Sequence, residues 1–146
     1  MYNIDRHILK NGYACLGVQA EIRQKWPQGS LIVDFIENII EPFLAWQAYY
    51  DEFQKVPPWG ERSHFPDGIL EYYAELLQLS ESGLIKDFMT LLARKNNPKG
   101  HEFCPCQSGK RLRHCHRELI DNVRKIINWE VVGLDLKQIN SFESKK

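Results

Sequence analysis

LIVDFIENIIEPFLAWQAYYDEF, residues 31–53, is the stretch whose reading sets the fold class. Ile32, Ile36, Ile40, Phe43, Trp46 and Tyr50 recur at helical spacing, while Asp34, Glu37 and Glu41 fall largely outside that stripe. Ser30, just ahead of it, reads as an N-cap. Pro42 lacks a backbone donor and crowds the preceding turn, so the helix is expected to kink or split after Glu41.

Working outward, KVPPWGERSHFPDG (residues 55–68) is a loop built on prolines and glycines. Asp67 can cap a second helix, GILEYYAELLQL, and Ser80 or Ser82 opens a third, GLIKDFMTLLARK, with Leu84, Phe88, Leu91 and Leu92 on one stripe. Asn96-Asn97-Pro98-Lys99-Gly100 stops that helix. A fourth, RELIDNVRKIINW, carries Leu119, Ile120, Val123 and Ile127 on one face; the tail after Gly133 is expected to be loose. Residues 1–29 read as irregular, with at most a short strand or hairpin around residues 8–20. The expected fold is mainly α, a helical domain with a small C-terminal cysteine-rich knuckle. Its organisation reads as 1–95 helical region, 96–103 linker, 104–117 knuckle and 118–146 helix and flexible tail.

The totals set bounds. At 146 residues, 43% of them hydrophobic and 26% charged, the chain suits one modest domain plus a small appendage. Its formal net charge is zero, so no global field argues for nucleic acid as the partner. No apolar run approaches the length needed to span a bilayer, and MYNIDRHILKNGY lacks the layout of a signal peptide. A cytoplasmic location is the default expectation. In that reducing compartment, clustered cysteines point to metal binding or catalysis rather than disulfides.

Such a cluster is present. CPCQSGKRLRHCH, residues 104–116, holds three of the four cysteines, and its spacing C-x-C-x8-C-H offers Cys104, Cys106, Cys115 and His116 to one ion. Zinc takes four such ligands in a tetrahedron, and four protein ligands leave no open position for a reacting water. The expected cofactor is therefore structural Zn2+. A segment this short cannot bury a core, so the metal must supply much of its folding energy. His114 competes with His116 for the fourth position on spacing alone. The neighbouring Lys110, Arg111, Arg113 and Arg117 read as a solvated basic face, since the aromatics of a nucleic-acid platform are missing from the segment.

The segment resembles the SEC-C motif, the small zinc-binding element at the C-terminus of the SecA translocase and on many bacterial proteins. Cys104-Pro105-Cys106, Ser108-Gly109-Lys110 and Cys115-His116 follow its pattern, and the resemblance makes His116 the ligand. Gln107 stands where the family usually has glycine, and Leu112 where an aromatic is common. In its relatives the motif is a docking element, which implies a protein partner.

The remaining cysteine, Cys15, sits between Asn11-Gly12 and Gly17, a tight, open backbone in which a thiol can be exposed. Residue chemistry alone favours a small buried hydrophobe. Asn11-Gly12-x-x-Cys15-Leu16, then Trp26-Pro27, then an apolar helix reaching Pro42, resemble the region from the active-site cysteine onward in ubiquitin-conjugating (E2) enzymes. Bacterial E2-like proteins, some encoded in anti-phage islands such as CBASS operons, are the nearest in pattern; Trp59 to His64 and Gly68 to Tyr73 also look like their downstream stretch. The resemblance implies a thioester carrier on Cys15, with His64 as a nearby polar participant, an E2-like surface for protein partners, and a truncated E2-like α+β form of the helical domain. E2 folds place a helix and most of a sheet before the cysteine, but fourteen residues precede Cys15 here. The implied chain is the C-terminal portion of a longer or split gene product, or a reduced relative. The alternative is a non-enzymatic zinc-binding adaptor with Cys15 buried.

Overall fold

The structure is a computed structural model that describes residues 6–144. These residues are mainly helical; backbone pairing outside the helices is limited among them to isolated bridges, Ile8 with Ala14 and Phe103 with Arg111. The expected α class holds. Contacts divide the chain into two compact units, Met1–Arg62 and Ser63–Lys146.

In the first unit a tight reversal joins residues 7 and 15. Leu9 N–H donates to Tyr13 O at 2.8 Å and Cys15 N–H to His7 O at 2.7 Å, with Gly12 at φ +81° making the turn. The expected hairpin is therefore a single bridge. Helix α1 (Gln19–Lys25) follows, with Ala20 fully buried. Helix α2 (Ile32–Phe35) starts one residue later than a Ser30 cap would place it. The Asp34 carboxylate supplies the cap, accepting from Leu31 N–H at 2.7 Å.

Pro42 acts through the turn before it. Residues Ile36–Ile40 form a π-helical turn in which Glu41 N–H reaches back to Ile36 O, and helix α3 (Glu41–Phe53) then continues without a break in the chain. A proline cannot donate to the carbonyl four residues back and its ring presses on it, so a widened turn is a common relief. That wider turn also changes the phase of the helix. Ile39 and Trp46 face the core, whereas Ile32 is 67% exposed and Ile36 43% exposed. The stripe drawn through Ile32, Ile36 and Ile40 assumed an unbroken 3.6-residue period.

The second unit contains α4 (Asp67–Leu77), α5 (Ser82–Leu92), α6 (Arg117–Ile126) and α7 (Trp129–Glu143). Helix α5 packs against α4, α6 and α7. Its fully buried Phe88, Met89 and Leu92 meet a core that includes Tyr73, Ile120 and Ile139. Helix α7 corrects the expectation of a loose tail. The Asn128 side chain caps it by accepting from Glu130 N–H at 3.0 Å, and Val132, Asp135 and Ile139 bury one face at helical spacing. Gly133, read as the end of order, lies inside this helix.

Asp135 is an unusual core residue, 1% exposed, and the Tyr73 hydroxyl donates to its Oδ2 at 3.0 Å. Burial, followed by the neighbouring carboxylate, pushes the Tyr73 phenol above its ordinary range, so it remains the donor at any physiological pH. The bond ties α4 to α7. Tyr73→Phe leaves the carboxylate short of a buried partner and should cost about 1–3 kcal/mol. The expected result is a lower urea midpoint with an unchanged slope; an unchanged midpoint would show that the bond does not hold α7 in place.

Candidate metal centre

The knuckle is built before α6 begins. Lys99 to Arg113 fold back on themselves: Cys104 N–H donates to Lys110 O at 2.9 Å, Leu112 N–H to Glu102 O at 2.8 Å, and Arg113 N–H to Gly100 O at 3.0 Å. The reversal between them uses two left-handed residues, Gln107 at φ +60° and Gly109 at φ +72°. Gly109 adopts that conformation without penalty, while Gln107 holds it at a cost of about 1 kcal/mol. Position 107 thus holds a backbone conformation that favours glycine. A 3₁₀ turn, Leu112–His114, then delivers Cys115 and His116 to the first turn of α6.

These turns bring four donors together. Cys104 Sγ and Cys115 Sγ each lie 3.2 Å from His116 Nδ1, and Cys106 Sγ lies 3.4 Å from Cys115 Sγ. All four ligand atoms fall within 4.8 Å of one another, so Cys104, Cys106, Cys115 and His116 can hold a metal ion. A tetrahedron with sulfur arms of about 2.3 Å has edges of about 3.8 Å, so the three shortest separations fall a few tenths of an ångström inside those edges and the others within about 1 Å of them. His114 takes no part: its Nε2 accepts from Arg113 Nε at 2.9 Å, at an exposed position. Geometry therefore selects His116 over His114 independently of the motif.

Two neighbours were not legible as participants. Phe88, fully buried on α5, meets the His116 ring edge-on at 5.2 Å between centroids and fixes its plane. Ser108, which the sequence offered only as part of the motif, has its Oγ 3.1 Å from Cys106 Sγ and 3.5 Å from Cys115 Sγ, where a hydroxyl can donate to thiolates. Leu112, in place of the common aromatic, is fully buried and anchors the knuckle in the core of its unit. Arg117 and Arg124 hold the segment leading from α5 into the site, donating to Pro98 O at 2.8 Å and to Leu92 O at 2.8 Å.

The sulfurs differ electrostatically. Burial dominates at Cys104 and pushes its thiol up to about 11. At Cys106 burial pulls the same way, but hydrogen bonds from Ser108 and the other cysteines outweigh it and hold the thiol down to about 6. The remaining candidates stand apart from this cluster. Cys15 is half-buried in the Met1–Arg62 unit, and His64 is half-buried in the loop before α4, its carbonyl accepting from Gly68 N–H at 3.2 Å in the Ser63–Lys146 unit.

No protein-family model matches the chain, and neither a curated protein nor a solved structure matches it. The metal centre rests on its own geometry. Between pH 7 and 9 the metal must displace at least the Cys104 proton, so affinity rises with pH by about tenfold per unit per proton released. Titration with Co2+, read by thiolate charge-transfer absorption, should show that slope. A flat profile would contradict a buried, protonated thiol among the ligands.

Proposed function

We propose that residues 104–116 form a structural Zn2+ site of SEC-C type, and that the Ser63–Lys146 unit is a helical adaptor presenting this knuckle to a protein partner. The convergence of three sulfurs and the His116 imidazole within 4.8 Å carries the reading. The set is rich in thiolate, which suits zinc, and it is complete without water, which suits a structural role. The surface beside the ligands supports docking. Phe103 is 63% exposed, and the Arg111 guanidinium lies 3.9 Å from the centre of its ring. Lys110 and Arg113 are exposed nearby in the chain, a polar and basic setting that fits an acidic protein surface. No helix of the described residues is long and apolar enough to cross a membrane, and the reading places the protein in the bacterial cytoplasm.

A second reading concerns the other unit. Cys15 as an E2-like thioester carrier, with protein conjugation as its setting, in anti-phage defence or elsewhere, is supported by the half-buried thiol on a tight turn whose register is fixed by the bond from Cys15 N–H to His7 O. In this reading the zinc knuckle is the docking appendage of the carrier. The likeness stops at the antiparallel sheet of E2 folds, since the described residues carry isolated bridges only.

Elemental analysis of purified protein should find one zinc per chain. Cys104→Ser or His116→Ala should lower that stoichiometry and speed amide exchange in α6, while α4 and α5 stay helical. A variant that kept one zinc with unchanged melting would contradict the structural role. Zinc-dependent turnover of a simple ester by the wild type would contradict the closed ligand set.

A further inference from the structure

The charges of this neutral chain are sorted along it. Between Trp26 and Gln54 stand five acidic residues, Asp34, Glu37, Glu41, Asp51 and Glu52, and no lysine or arginine. Between Phe103 and Arg117 stand Lys110, Arg111, Arg113 and Arg117, and no acidic residue. Each sign lies beside exposed apolar side chains. On the acidic stretch Leu31, Ile32, Val33, Ile36 and Leu44 are all exposed. A row of every fourth residue on a regular α-helix drifts about 40° around the axis at each step, and the wider turn at Ile36–Ile40 offsets that drift. Ile32, Ile36, Ile40 and Leu44 therefore keep one line along α2 and α3, with Val33, Glu37 and Glu41 in the row beside it. Asp34 caps α2 and Asp51 is paired with Arg6, whereas Glu37 and Glu41 are exposed and form no ion pair among the described residues.

The basic stretch carries the complementary surface. Phe103 is exposed with the Arg111 guanidinium over its ring, and Lys110, next in the chain, is exposed as well. An apolar row rimmed by charge marks an interaction site, and an aromatic ring with two cations answers an aliphatic row with two carboxylates in both respects. Apolar surface meets apolar surface at the centre, and opposite charges meet at the rim. The same row of a second copy is a poor partner, because it would set Glu37 and Glu41 against their own counterparts.

We propose that the knuckle of one chain docks on the α2–α3 row of a second copy, Phe103 lying on Ile32, Ile36 and Leu44 while Lys110 and Arg111 meet Glu37 and Glu41. The inference rests on the docking role given to the knuckle, and it names the acidic protein surface as this chain's own. The contact joins two different surfaces, so each pairing leaves one free knuckle and one free row. Copies then add head to tail, into a ring if the rotation closes and an open chain if it does not. The rim charges set partner choice and salt dependence, and the apolar contact holds the copies together.

Sedimentation velocity on the full chain loaded with zinc tests this, with zinc content measured on every sample. From about 5 to 500 μM the mean mass should climb above the 17.2 kDa of one chain, and raising NaCl from about 0.05 to 0.5 M should weaken association by about tenfold. Two charge-reversed chains sharpen the test, one with Glu37→Lys and Glu41→Lys, the other with Lys110→Glu and Arg111→Glu. Each alone sets like charges together and should associate about 100-fold more weakly. Mixed, the two offer each other one reversed pairing and one original pairing, so association should return. Wild-type protein with one zinc that stays monomeric throughout would overturn the proposal, leaving the row to a basic partner of another kind and the zinc site intact. Association that survives reversal at Glu37 and Glu41 would overturn it too, and so would a mixture of folded, zinc-loaded variants that stays monomeric. If the Lys110 and Arg111 variant loses zinc, the Glu37 and Glu41 variant decides alone, since its knuckle is unaltered. Wild-type protein that takes up no zinc would instead end the reading on which the proposal rests.

Discussion

Three cysteine sulfurs and one imidazole gathered within 4.8 Å are the constraint on which the second unit depends. Cys104 is nearly buried, and thiolates packed at such separations repel one another unless a cation sits among them. The knuckle has little apolar cover of its own. Its fully buried hydrophobe is Leu112, and its backbone turns through a left-handed glutamine. A metal ion held by the four ligands would offset both weaknesses at once, because its binding energy is folding energy for a segment that cannot fold by burial.

The site is also joined to the helical core rather than strung beside it. Cys115 and His116 stand at the start of α6, Phe88 of α5 sets the plane of the His116 ring, and Arg124 of α6 reaches back to the carbonyls that end α5. Anything that holds the four ligands therefore holds the crossing of α5 and α6. The exposed face, Phe103 with Arg111 over it, is carried on the same frame, and the proposed docking role would draw on that rigidity.

The sequence made some of this legible and hid the rest for identifiable reasons. The cluster could be read because ligand chemistry depends on residue type and spacing, and C-x-C-x8-C-H carries both. Helices α5 and α6 could be read because Phe88, Leu91 and Leu92 in one and Ile120 and Val123 in the other recur at helical spacing and are buried. The face of the first long helix could not, because a π turn at Ile36–Ile40 shifts the phase that the period assumes. Helix α7 was missed because its buried face includes a charged residue, Asp135, whose partner Tyr73 lies 62 positions away.

The central claim is a closed Cys3His metal centre, and X-ray absorption at the zinc edge tests it most directly. A fit with three sulfurs at about 2.3 Å and one nitrogen at about 2.0–2.1 Å, and no light-atom shell from water, is the result expected. A sphere containing exchangeable oxygen, or one dominated by nitrogen with fewer than three sulfurs, would contradict it.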